Sequence, residues 1–139
     1  MTTRSTALRW LASTHGIRDG DIFTSQYYPA ERSWTDRDAW WVQVPRHRVE
    51  APGERAVHLV LQVAPEQARF YYLRVPASYL RERLDALDAP GDGRMVSLFL
   101  SADPGRLFRD ERGAGQIEFR QFLQSDGHRD THIPELTDR

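Results

Sequence analysis

Cysteine, lysine and asparagine are missing from this chain of 139 residues. Without cysteine there is no disulfide, no thiolate nucleophile and no cysteine-ligated zinc. Without lysine there is no Schiff-base amine and no P-loop lysine, and all 19 basic residues are arginine. Lysine and asparagine share codons that begin with two adenines, so their joint absence reads as codon bias and points to a GC-rich bacterial or phage genome. Also lacking is an excess of either charge. The 19 arginines face 20 acids, a net charge of -1 that gives no field to draw in nucleic acid or an anionic membrane. No run of eighteen apolar residues occurs, and the opening MTTRSTALRWLASTHG lacks the apolar core of a secretory leader. The expectation is a cytoplasmic protein without membrane association. The G-x-S-x-G, G-x-x-x-x-G-K-[ST] and G-x-G-x-x-G motifs are absent. Metal-dependent nuclease cores that set an acid and a lysine on adjacent strands find no lysine here.

What is present suits one domain, since a chain of this length buries roughly two thirds of its unfolded surface around a single core. Ser5 or Thr6 caps a predicted helix over residues 6 to 15 that ends at Gly16. Strands are predicted over 21 to 28, 39 to 44, 56 to 64, 69 to 75, 95 to 101 and 116 to 123. The second pair in that series, joined by Pro65-Glu66-Gln67-Ala68, reads as a hairpin. Pro76 opens a second helix in which Ala77, Leu80, Leu84 and Leu87 recur at helical steps until Ala89-Pro90-Gly91. Residues 45 to 55 read as a polar loop, and Gly113-Ala114-Gly115 as a flexible turn. The fold class is therefore α+β: a single domain over residues 1 to 125, with a mostly antiparallel or mixed sheet of five to six strands and two helices, in the order α-β-β-β-β-α-β-β. Residues 126 to 139 are polar and predict a mobile tail.

Three aromatic doublets, Tyr27-Tyr28, Trp40-Trp41 and Tyr71-Tyr72, carry the functional signal. Neighbouring residues of a strand point to opposite faces, so each doublet in a strand puts one ring into the core and one on the reverse side. Sorting the strands this way, and treating them as one sheet, collects Trp41, Gln43, His58, Val60, Gln62, Phe70, Tyr72 and Arg74 on the reverse face. Stackable rings beside amides and an arginine suit interface hot spots and base-stacking platforms. The plain alternative is that a helix covers this face.

Around it, Trp34 and Arg37 lie in an irregular stretch where they could close over a planar ligand, although a tryptophan there more often plugs the end of a core. Arg46 and Arg48 are candidates for phosphate contact, with Glu50 and Glu54 nearby to offset them. His128 and His132 flank Asp130, but Gly127 and Pro134 oppose the helix that would align them as metal ligands. Arg106, Arg109 and Arg112 beside Asp103, Asp110, Glu111 and Glu118 suggest ion pairs rather than acid-base chemistry. No catalytic residue, metal or cofactor is assigned. The expectation is a non-enzymatic binding domain working through Trp34, Trp41, Gln43, His58, Gln62, Tyr72, Arg74, Arg37, Arg46 and Arg48. Arginines beside aromatic rings suit stacking and phosphate contact, so the work is expected to be nucleic-acid-associated, with single strands as the partner. A homo-oligomeric or protein-binding assembly subunit is the main alternative, and a small hydrolase or nuclease-like enzyme the second.

Overall fold

A computed structural model describes residues 2–32, 37–113 and 115–124. The order of elements is α1 (Thr3–His15), β1 (Asp21–Ser25), β2 (Ala39–Pro45), α2 (Arg46–Glu50), β3 (Ala56–Gln62), β4 (Phe70–Pro76), α3 (Ala77–Arg81), β5 (Met95–Ser101) and β6 (Leu123–Gln124). This is a small α+β domain of six strands, with one long helix and two short ones. The strands form two sheets rather than one. The first has the order β1-β3-β4-β6 and the second pairs β2 with β5. β1 lies parallel to β3, and the other pairings are antiparallel.

The β3–β4 hairpin shows how burial on both faces arises. Val57, Leu59 and Leu61 of β3 and Leu73 and Val75 of β4 point inward, where they meet Trp40, Val42 and Val44 of β2 and Val96, Leu98 and Leu100 of β5. Trp40 sits at the centre of this core, stacked on Phe108 at 5.3 Å between ring centroids, with its Nε1 donating to the Gln62 carbonyl at 2.7 Å. The opposite faces of β3 and β4 carry Val60, Phe70 and Tyr72, and α1 lies across them.

α1 begins at the Thr2 hydroxyl, which accepts from the Ser5 amide, and stops at Gly16, whose φ of 73° a side chain would resist. Thirteen residues alone make a marginal helix in water, so tertiary packing holds it. Ala7 and Leu11, both wholly buried, pack with Ile22, Val60, Phe70 and Tyr72 in a second, smaller core.

Three sequence expectations need correction. Residues 46 to 50 are helical rather than loop, because the last carbonyls of α2 are taken up by distant arginines: Arg81 donates to Val49 and Ala51, and Arg55 to Arg48 and Ala51. The helix after Pro76 runs only to Arg81 and gives way to a single 3-10 turn at Leu84–Ala86. That break lets the Ala86 carbonyl accept the Gly115 amide and leaves Leu84 half-buried, while Leu80 and Leu87 are buried. Residues 116 to 123 are a β-bridge at Glu118 and a 3-10 turn at Arg120–Phe122, with a strand only at Leu123–Gln124.

Candidate functional site

The inner faces of the two sheets share one core, so the residues expected to lie on one surface are divided between the outer faces of two different sheets. His58, Gln62, Tyr72 and Arg74 lie on the outer face of β3–β4. Trp41 and Gln43 lie on the outer face of β2–β5. Trp34 and the His128–His132 pair lie outside the described residues.

On the first side, α1 and the segment after it bury most of what the doublet pattern exposed. The Tyr72 hydroxyl lies 2.7 Å from His58 Nδ1, and His15 of α1 packs edge-on against the Tyr72 ring at 4.7 Å. Burial pushes the Tyr72 hydroxyl up, against a pull downward from Arg74 beside it. Burial likewise pushes His58 below its ordinary value of 6.5, helped by the charge of Arg74 and opposed by that of Asp21. His58 is therefore a neutral, hydrogen-bonded ring at neutral pH. Gln62 ties the segment after β1 to the β3–β4 loop, accepting from the Tyr27 amide at 2.8 Å and donating to the Gln67 carbonyl at 3.1 Å. Nearby, burial and the carboxylate of Asp38, 2.5 Å from the hydroxyl, push Tyr27 up.

The second side differs. Trp41 is the one large apolar side chain left exposed among the described residues, at 41 % of its surface. Gln43 beside it is exposed and reaches the Ser97 hydroxyl across the strands. Trp41 pairs in register with Phe99, and the Glu111 amide donates to the Phe99 carbonyl, so Trp41, Phe99 and Glu111 follow one another across the sheet. Glu111 gathers arginines: its carboxylate is 3.2 Å from Arg109, 3.7 Å from Arg37 and 4.0 Å from Arg106. Arg106 and Arg109 extend this cluster to Asp103 and Glu118. The aromatic ring is thus bordered by a network carrying both signs of charge.

The remaining candidate arginines are engaged. Arg46 pairs with Glu50 one turn along α2 at 3.0 Å, and Arg48 with Asp21 at 2.6 Å. Asp21 also holds Arg55 at 2.9 Å.

Two features were not legible beforehand. Asp110 is a fully buried carboxylate that accepts the amides of Phe99 and Gly113, both at 2.9 Å, and of Arg112 at 3.4 Å. Burial pushes its pKa up against those three donors, with Asp88 adding to the rise. Gly113, read from sequence as part of a flexible turn, is a packing position: a Cβ there would press on the Ala86 carbonyl oxygen and lie 2.7 Å from Asp110 Oδ2. Among the described residues no group of acids and histidines is arranged to hold a metal ion, and no helix is long and apolar enough to cross a membrane. No protein-family model, curated protein or solved structure matches the chain.

Proposed function

We propose that this is a non-enzymatic binding domain whose contact surface is the exposed side of β2 at Trp41 and Gln43, where the facing β5 residues Ser97 and Phe99 are buried, and that it takes a second copy of the same chain. The observation that carries the reading is the exposed Trp41 ring with its charged border. Tryptophan at the centre of a patch with a polar rim is the usual anatomy of an interface hot spot. A two-fold contact brings a patch against itself, and a border holding arginines and glutamates together can satisfy itself in that arrangement.

Single-stranded nucleic acid finds less support in the geometry. Phe70 and Tyr72, the other rings of the expected stacking platform, lie under α1. Arg37, Arg46 and Arg48 face carboxylates.

Sedimentation equilibrium across a micromolar concentration series tests the proposal. The expected result is a dimer whose dissociation constant rises roughly 30-fold in Trp41→Ala, the equivalent of the ~2 kcal/mol typical of a hot-spot tryptophan. A wild-type monomer throughout the series would overturn it. So would quenching of tryptophan fluorescence by a single-stranded oligonucleotide that disappears in Trp41→Ala, because the same ring would then serve nucleic acid.

A further inference from the structure

On the side away from Trp41, a cleft of about 450 Å³ opens on the outer face of β3–β4, at the end where Ala56 pairs with Pro76. Glu54, Arg55, Ala56, Arg74, Pro76 and Ser78 line it. We propose that this cleft binds the phosphate group of a small ligand, with Arg74 as the principal contact, Ser78 as a second donor and the positive charge of Arg55 beside them.

Arg74 is exposed, with a side-chain hydrogen bond to Tyr72 and no carboxylate partner among the ion pairs of the described residues. Its charge is felt at His58, its partner across the strands. Arg55 differs from a mobile surface arginine, because its guanidinium is fixed by Asp21 at 2.9 Å and by the carbonyls of Arg48 and Ala51 at 2.5 and 2.9 Å. Its Nε is buried and has no hydrogen-bond partner among the described residues. The Arg74 guanidinium and the Ser78 hydroxyl line one cleft beside the positive charge of Arg55, which suits a phosphate with its acceptor oxygens on several sides better than a planar carboxylate with two. The volume falls within the span of small-molecule sites. Ala56 and Pro76 give the body of such a ligand an apolar floor. Glu54 at the edge favours a hydroxyl or ammonium group on that body and disfavours a second anion.

The test follows the imidazole signals of His58 by NMR in the full-length protein during titrations at constant ionic strength. The probes are inorganic phosphate, glycerol 3-phosphate and acetate. Phosphate should shift His58 saturably and raise its pKa, because a bound anion offsets the Arg74 charge that adds to burial in holding it down. Arg74→Gln should weaken binding at least about tenfold, the loss of one charge-assisted contact. Ser78→Ala should weaken it less, and Arg32→Gln, at an exposed position outside the cleft, should leave it unchanged. Tighter binding of glycerol 3-phosphate than of inorganic phosphate would assign a phosphate monoester, and equal binding would assign free phosphate. No saturable shift, an equal response to acetate, or an undiminished response in Arg74→Gln would each overturn the proposal. None of these outcomes depends on the oligomeric state.

Discussion

Adding one methyl group at Gly113 should be among the most damaging small changes this protein can suffer. Its backbone is not in the left-handed region, so conformational strain contributes nothing and the cost is one of space and hydrogen bonding. The new Cβ would collide with the Ala86 carbonyl oxygen, lie 2.7 Å from Asp110 Oδ2 and reach 3.1 Å from Leu87 Cα. Two of those neighbours are main chain, which cannot swing aside as a side chain tip would. Overpacking of this kind costs about 1–3 kcal/mol, and the backbone partners put Gly113→Ala at the upper end. If the turn retreats instead, it draws the Gly113 amide away from the buried Asp110 carboxylate, a bond to a charged group that contributes about 1.5–3 kcal/mol. Either route gives a loss of about 3 kcal/mol, a large part of the stability of a domain this size. Gly16→Ala is the control, since its added Cβ meets nothing within 4 Å and its φ of 73° costs about 1 kcal/mol. Urea denaturation of both variants would measure the difference. A Gly113→Ala midpoint equal to wild type, or to that of Gly16→Ala, would refute the account of the turn.

Two further predictions concern stability. Leu80→Ala should cost about 2–5 kcal/mol because Leu80 is buried in the main core, whereas half-buried Leu84→Ala should cost distinctly less; denaturation midpoints in the reverse order would place the break after Arg81 wrongly. Acidification should destabilise the fold through His58, which burial and Arg74 keep neutral and which also faces Tyr72 and Asp21. Its folded pKa lies below 6.5, so the unfolded chain takes up more protons, and the contribution is present above 6.5 and lost as pH falls through the folded value. Stability measured between pH 7.5 and about 5 should therefore fall less steeply in His58→Gln than in wild type, and parallel slopes would contradict this.

Alternation along β3 and β4 was readable because strand residues change sides at every step, whatever they pack against. Val57, Leu59 and Leu61 therefore declared their face, and Trp40 and Trp41 their opposite ones. Which strands stand side by side is another matter. β2 pairs with β5, more than fifty residues later, and nothing local to Trp41 or Gln43 announces that they leave the face carrying His58 and Tyr72. The break after Arg81 escaped notice for a related reason. The leucine spacing favours a helix to Leu87, but Ala86 must present its carbonyl to Gly115 and leave room at Gly113, a demand set by residues far along the chain. α2 is short, flanked by Pro45 and Pro52, and exists through Arg55, just before β3, and Arg81 of α3, which donate to its last carbonyls. The phosphate cleft could not be read for the same reason, since Arg55, Arg74 and Ser78 meet only after the hairpin has closed.

The parallel pairing of β1 with β3 has a consequence for the order in which the chain comes together. β3 and β4 are joined by a short loop and can meet as soon as both exist. β1 cannot use a tight turn to reach its parallel neighbour, and β2 and α2 intervene in the chain. On the ribosome, α1 and β1 emerge before β3 and β4, with Ala7, Leu11 and Ile22 lacking the surface of Val60, Phe70 and Tyr72 that they pack against in the folded domain. At ~5–20 residues per second the wait lasts several seconds. Through that interval α1 and β1 carry apolar side chains without their partners, a segment that a chaperone can hold.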